Sequence, residues 1–202
     1  MKPRGFLLIC ACVSACLAGC APPAPKLYLL APPAMAGMPG SSGAQAVAGP
    51  VLEVPRLHIP DYLDSRDIQM RDASSMLMVS RSGRWASRLS DQLTDTLVAD
   101  LGKLHPDRMV TRSTIMGRSS RLLLDITTLE LDRDGDAMMV ADWSIAQENG
   151  SPLHDHERFA VQADARNEAS NGTSDARVIT LLRELIRQLA ARIQLPVVAS
   201  PS

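Results

Sequence analysis

Cysteine stands at positions 10, 12, 16 and 20 of this 202-residue chain and nowhere after them. Everything downstream of residue 20 must therefore fold without a disulfide, a cysteine-held metal or a cysteine nucleophile. Aromatic residues make up only 3% of the chain, so the core has to be built from Leu, Val, Ile, Ala and Met. Once the terminal segments described next are set aside, about 150 residues remain, a usual size for one domain.

Lys2 and Arg4 open the chain, and Gly5 to Leu17 are apolar or small throughout. As a helix that run would span ~20 Å, short of a ~30 Å bilayer core, so it reads as a secretory leader and not as a transmembrane span. The leader ends on Leu17-Ala18-Gly19-Cys20. These four residues resemble the bacterial lipobox. That resemblance implies cleavage between Gly19 and Cys20, a diacylglycerol on the Cys20 sulfur and an acyl chain on its new amino group. No other cofactor is implied. Each buried methylene contributes about 0.8 kcal/mol, and two or more chains anchor stably where one does not. No later run reaches eighteen apolar residues, so a tethered and not a spanning protein is expected. Ala21 follows the cysteine where an aspartate would favour inner-membrane retention. The expected place is the inner leaflet of the outer membrane, facing the periplasm.

Losing the leader removes two cations and no acid, taking the formal charge from −1 to −3. That balance offers no electrostatic footprint for nucleic acid. Residues 20–50 hold the lipidated cysteine and then prolines at 22, 23, 25, 32, 33, 39 and 50, with Gly and Ala between them. Such composition predicts a disordered tether. Leu27-Tyr28-Leu29-Leu30 interrupts it with a β-prone island, a candidate edge strand. The single domain is expected over 51–196, with a short tail at 197–202.

Val51, Val54, Leu57 and Ile59 lie between Pro50 and Pro60 and predict a strand over 51–59. Pro60 to Asp64 predicts a turn. Ile68–Arg71 and Met76–Val79 predict two short strands, with Ser82-Gly83 as punctuation before the period changes. Trp85, Leu89, Leu93, Leu97, Leu101 and Leu104 then recur at steps of three and four, predicting an amphipathic helix over 84–104 that stops before Pro106. Met109-Val110 predicts a short strand. Leu122–Leu131, Ala137–Ala146 and a strand around Phe159–Val161 are separated by Asp134-Gly135 and Asn149-Gly150-Ser151. They predict a three-stranded antiparallel meander over 121–163, because those turn residues tolerate positive φ. Val178, Leu181, Leu182, Leu185, Ile186, Leu189 and Ile193 mark a second helix before Pro196. The fold class is α+β: a mostly antiparallel sheet with two long amphipathic helices on one face.

Few constellations suggest chemistry. His154-Asp155-His156-Glu157 would put both histidines on one face of a strand, as metal ligands require, but no third ligand is identifiable in the sequence. It reads as the start of a surface strand. Asp132, Asp134 and Asp136 have calcium-loop letters without the distal Glu, at a place where a hairpin needs its turn. Neither a nucleophile elbow nor a P-loop is present. Asn171-Gly172-Thr173 is a glycosylation sequon by letters only. The chain reads as a non-enzyme with a binding role.

The order of landmarks is Cys20, then Leu27-Tyr28-Leu29-Leu30, then the strand at 51–59. It continues through Pro60-Asp61-Tyr62-Leu63-Asp64-Ser65-Arg66-Asp67-Ile68, Trp85-Ala86-Ser87-Arg88-Leu89 and a C-terminal amphipathic helix. It resembles the ABC-type transport auxiliary lipoproteins, the PqiC/YmbA-like membrane-integrity-associated transporter subunits. Ser65 shifts Arg66 one place later than the commoner pattern, and Asp67 stands where that family often has proline. The resemblance implies a lipid-anchored accessory subunit that accompanies an MCE-domain periplasmic protein and, through it, a permease and ATPase on separate chains. Lipids or other hydrophobic molecules would pass between the two membranes. Pro60, Tyr62, Leu63, Asp64 and Arg66 are then the candidate partner contacts, against the alternative that Tyr62 and Leu63 simply pack into the core. A homo-oligomer around a tubular partner is compatible with this reading. The competing expectations are an envelope-assembly adaptor unrelated to transport and a lipid-anchored hydrolase using residues 154–157.

Overall fold

The computed structural model describes residues 24–30, 50–114, 119–132, 135–146, 151–162 and 174–195. The leader, Gly19, Cys20 and residues 31–49 lie outside them, as do 147–150 of the expected second turn and the tail. In chain order the elements are β1 (Lys26–Tyr28), β2 (Val51–Glu53), β3 (Asp67–Arg71), β4 (Leu77–Trp85), α1 (Leu89–Leu104), β5 (Met109–Thr111), β6 (Ser119–Leu131), β7 (Ala137–Ala146), β8 (Leu153–Val161) and α2 (Ser174–Arg192).

The meander is the backbone of the domain. β6, β7 and β8 pair antiparallel, with Asp125 opposite Asp142 and Asp142 opposite His156. Leu122, Leu124, Ile126, Leu129 and Leu131 of β6 alternate inward with Met139, Ala141, Trp143 and Ile145 of β7. The period-2 pattern has done what it predicts: one face is apolar and covered, the other more open and more polar. Gly135 takes φ 104° between β6 and β7 and donates its N–H to the Asp132 carbonyl at 3.1 Å, the conformation that makes glycine the natural choice there.

The rest of the sheet corrects the expectation of mostly antiparallel pairing. β2 lies between β5 and β6 and runs parallel to both, giving the order β5-β2-β6-β7-β8. A second, three-stranded sheet has the order β1-β4-β3, with β1 parallel and β3 antiparallel to β4. Both sheets are mixed. The reason is the connections. β1, β2 and β5 each reach their partners through long segments, and a long connection permits parallel pairing where a tight turn enforces the antiparallel kind. Hydrophobic alternation is identical in the two cases.

The two helices pack against each other and onto the meander, α2 over β7 and β8 and α1 beside β5. Leu89, Leu93, Leu97 and Leu101 of α1 and Val178, Leu182, Leu185, Ile186 and Leu189 of α2 are buried. The first helix begins later than its stripe suggested. Arg84 and Trp85 close β4, which runs through Ser82-Gly83 instead of stopping there. Trp85 is nonetheless 1% exposed. It enters the same core from a strand end, so its spacing fits a helix it does not belong to. Leu104 is exposed, outside the buried stripe.

Gly83 marks a close approach between the small sheet and α2. A Cβ there would lie 2.4 Å from Asp175 Oδ2 and 2.6 Å from Tyr28 Cε2. Asp175 is fully buried in the first turn of α2 and accepts from Ser82 Oγ at 2.9 Å. Its carboxylate also suits the positive end of the helix. Replacing Gly83 by Ala forces that contact apart. We expect Gly83→Ala to cost about 1–3 kcal/mol, read as a lowered denaturant midpoint, while Gly102→Ala, with open space around its Cβ position, does not.

Candidate functional site

The candidate residues at 60–66 form a compact turn. The Pro60 carbonyl accepts from Leu63 N at 2.9 Å, and the Asp61 carbonyl accepts from Asp64 N at 3.2 Å. Leu63 drops into the core at 4% exposure, whereas Tyr62 keeps 49%. The two readings of this turn therefore divide by residue: leucine packs and tyrosine faces out.

Asp64 is tied to the start of α1. Its carboxylate accepts from Ser90 Oγ at 2.7 Å and from Ser90 N at 3.4 Å. Arg88 stands at the N-cap position with no side-chain cap of its own, so Asp64 supplies from another element the acceptor that a cap residue normally provides. Arg56 reaches Asp64 Oδ2 at 3.0 Å and Ser90 Oγ at 2.7 Å, and Arg88 donates to the Asp64 carbonyl at 3.0 Å. The Ser65 carbonyl accepts Leu89 N at 3.1 Å. Arg66 donates through Nε to the Trp85 carbonyl, while its own carbonyl accepts Trp85 N. Arg56 also meets Asp91 at 3.5 Å, and Arg112 links Asp91 at 2.9 Å with Asp95 at 2.7 Å. The turn, the segment after β2, the first half of α1 and the segment after β5 are thus joined by one run of charges. Burial works against ionisation of Asp64, but the Ser90 hydroxyl and amide with Arg56 and Arg88 outweigh it and hold the carboxyl below its ordinary value.

A second polar cluster lies on the outer face of the five-stranded sheet. His58 follows β2 and bridges to Asp125 of β6, with Nδ1 2.9 Å from Asp125 Oδ1. Asp125 sits opposite Asp142, and Asp142 makes a short contact with His156 Nδ1. Register thus lines up His58, Asp125, Asp142 and His156 as one row across the isolated bridge at His58 and the three strands of the meander. With Arg56, Leu123, Ser144 and His154 they line an open depression of about 760 Å³. The hydrogen bond and charge of Asp125 hold His58 above the ordinary imidazole range. His154 and His156 do share a face, as their spacing predicts, but Glu157 is paired with Arg192 of α2 at 2.6 Å. Among the described residues no three His, Cys, Asp or Glu are grouped to hold a metal. The row offers carboxylates and imidazoles to a polar or charged partner. His58 and Asp125 are 67 positions apart, so only the parallel register could have found this row.

Folds of this kind are shared with solved proteins. A crystal structure of an uncharacterized protein superimposes with a TM-score of 0.64 at 18% identity, covering 84% of this chain and 95% of its own. Protein XCC0632 from Xanthomonas campestris gives 0.52 at 19% identity, over 70% and 79%. At such identities the likeness is one of fold. The family is set by sequence: residues 28–194 match the ABC-type transport auxiliary lipoprotein component, and the chain belongs to that family. It is a transport-associated auxiliary lipoprotein of the cell envelope. Its relatives include the intermembrane transport lipoprotein PqiC of Escherichia coli (strain K12) and that of Shigella flexneri, each 27% identical over 105 residues. The matched region spans 50% of this chain and 56% of each relative, about half its length. Among the described residues no helix is long and apolar enough to cross a membrane.

The depressed Asp64 value fixes a sign for stability against pH. The folded form holds the ionised carboxylate more tightly than the unfolded chain does. Its contribution is therefore complete above the ordinary value of 3.8 and disappears as pH falls through the lower folded value. Asp64→Asn is expected to flatten the acid limb of a stability–pH curve below about pH 4. At neutral pH, Asp64→Ala is expected to lower stability by about 1–2 kcal/mol, as loss of a helix cap does.

Proposed function

We propose that this protein is a lipid-anchored docking subunit of an MCE-type ABC transport system. That system carries lipids or other hydrophobic molecules between the inner and outer membranes and so maintains the envelope. The lipid on Cys20 holds the chain in the inner leaflet of the outer membrane. The folded domain engages the periplasmic end of an MCE-domain protein, whose permease and ATPase are separate chains.

The observation that carries this reading is the family match over residues 28–194, which takes in the domain from within β1 to the end of α2. The name of the PqiC relatives supports it. The turn at 60–66 favours a contact role over a catalytic one. Asp64 and Arg66 are engaged with the scaffold, and Tyr62 presents a half-exposed ring beside them. An aromatic side chain with a fixed backbone is a favoured anchor at interfaces, since it buries a large area with little rotamer entropy to lose. Membrane tethering raises the effective concentration of such a surface to about the mM range, so weak docking suffices.

Crosslinking of the intact protein in its native cells, followed by mass spectrometry, is expected to capture an MCE-domain protein. Tyr62→Ala should leave the unfolding midpoint unchanged and lower that capture by about tenfold, the effect of removing one interface anchor. Capture of outer-membrane insertion machinery alone would instead establish the envelope-assembly adaptor.

A further inference from the structure

The exposed large apolar side chains of this domain are unevenly placed. Leu27, Leu29, Met76, Leu77, Met78 and Val79 all belong to the three-stranded sheet or the residues beside it. Met76 is 62% exposed, Leu77 46%, Met78 44% and Val79 51%. Successive side chains of a strand point to opposite faces, so these four put exposed apolar groups on both sides of the β4 arm, whose β3 partners are Gln69, the buried Met70 and Arg71.

Strand direction says where this ribbon points. β1 runs parallel to β4 with Lys26 beside Gly83, so the chain enters β1 from the Leu77 end of β4. Cys20 precedes Lys26 by six residues, at most ~20 Å of extended chain. The chain ahead of Lys26 therefore leaves β1 in the direction of the apolar half of the hairpin. Lys26 and Arg81 are exposed in this sheet and supply cations for anionic headgroups, while Arg84 is paired with Asp67 at 3.6 Å. The turn itself is polar: Asp72 Oδ1 accepts from Ser74 Oγ at 2.6 Å, Ser74 N at 2.9 Å and Met76 N at 3.0 Å. A carboxylate at the turn keeps it out of hydrocarbon. The ribbon therefore lies along the boundary between headgroups and acyl chains instead of entering tip first.

We propose that the outer half of the β3–β4 hairpin, Met76 to Val79 at the start of β4, is a membrane-contact surface that seats the domain on the leaflet holding Cys20. This rests on the lipidated reading of Cys20. The anchor supplies retention and the hairpin supplies orientation.

The mature chain offers a clean test, because an acylated Cys20 leaves no other thiol. Leu77→Cys, Val79→Cys and Thr127→Cys would each be carried on the full chain, purified from membranes and labelled with an environment-sensitive fluorophore. Each is then placed in vesicles of phosphatidylethanolamine and phosphatidylglycerol containing a doxyl-labelled acyl chain. Thr127 is exposed on the outer face of β6 and serves as the reference. Labels at 77 and 79 are expected to lose most of their fluorescence to the doxyl lipid, and the label at 127 to lose none. Quenching at 77 and 79 by aqueous iodide alone would overturn the proposal, as would protection from both quenchers, which would mean a second copy or another protein covers the hairpin. Intact mass reports the anchor separately. An acylated Cys20 with unquenched labels overturns the hairpin contact and leaves the anchor standing. Quenched labels on a chain lacking the acyl mass do the reverse.

Discussion

Helix α1 takes hydrogen-bond donors from chain segments that would otherwise leave them unpaired in the core. Gln92 Oε1 accepts the N–H of Leu30, just past β1, at 2.9 Å, and Thr94 Oγ1 accepts the N–H of Leu57, in the segment after β2, at 3.2 Å. Both helix residues are buried among leucines. A buried N–H with no acceptor costs about 1–3 kcal/mol, so these polar positions are as necessary to the core as the apolar ones around them. The helix in turn needs Asp64 at its first turn. The small sheet, the large sheet and the 60–66 turn thus meet at one helix, and each is placed by what it gives to or takes from α1.

Much of this was legible in the sequence, and what was missed has a physical cause. The meander and α2 follow from period, because alternation along Leu122–Leu131 and the stripe from Val178 to Ile193 each have one structural solution that buries the apolar side. Pairing direction does not follow, since a strand carries the same alternation beside a parallel or an antiparallel neighbour. Trp85 misled for a related reason: position relative to the core is what spacing reports, and a strand end can fill a place that a helix turn would fill. The role of Asp64 was out of reach because its partner Ser90 is 26 positions away, and the His58–Asp125–Asp142–His156 row because it exists only once two strand registers and the His58–Asp125 bridge are set.

The turn at 60–66 is largely scaffold. Asp64, Ser65 and Arg66 hold the start of α1 and the end of β4, and Leu63 fills core. A motif of this kind reports fold first. Tyr62 and the outer sheet face are where members of one fold can differ in what they touch.

The fixing of Leu30 has a mechanical meaning. Arg183 of α2 donates to the Leu29 and Leu30 carbonyls while Gln92 holds the Leu30 N–H. A pull on the chain ahead of Lys26 is therefore carried along β1, whose hydrogen bonds to β4 cross that direction and share the load at once. The far end of the strand is fastened to both helices. Strain arriving from the N-terminal side ends in the interior of the domain, where α1 and α2 hold Leu30.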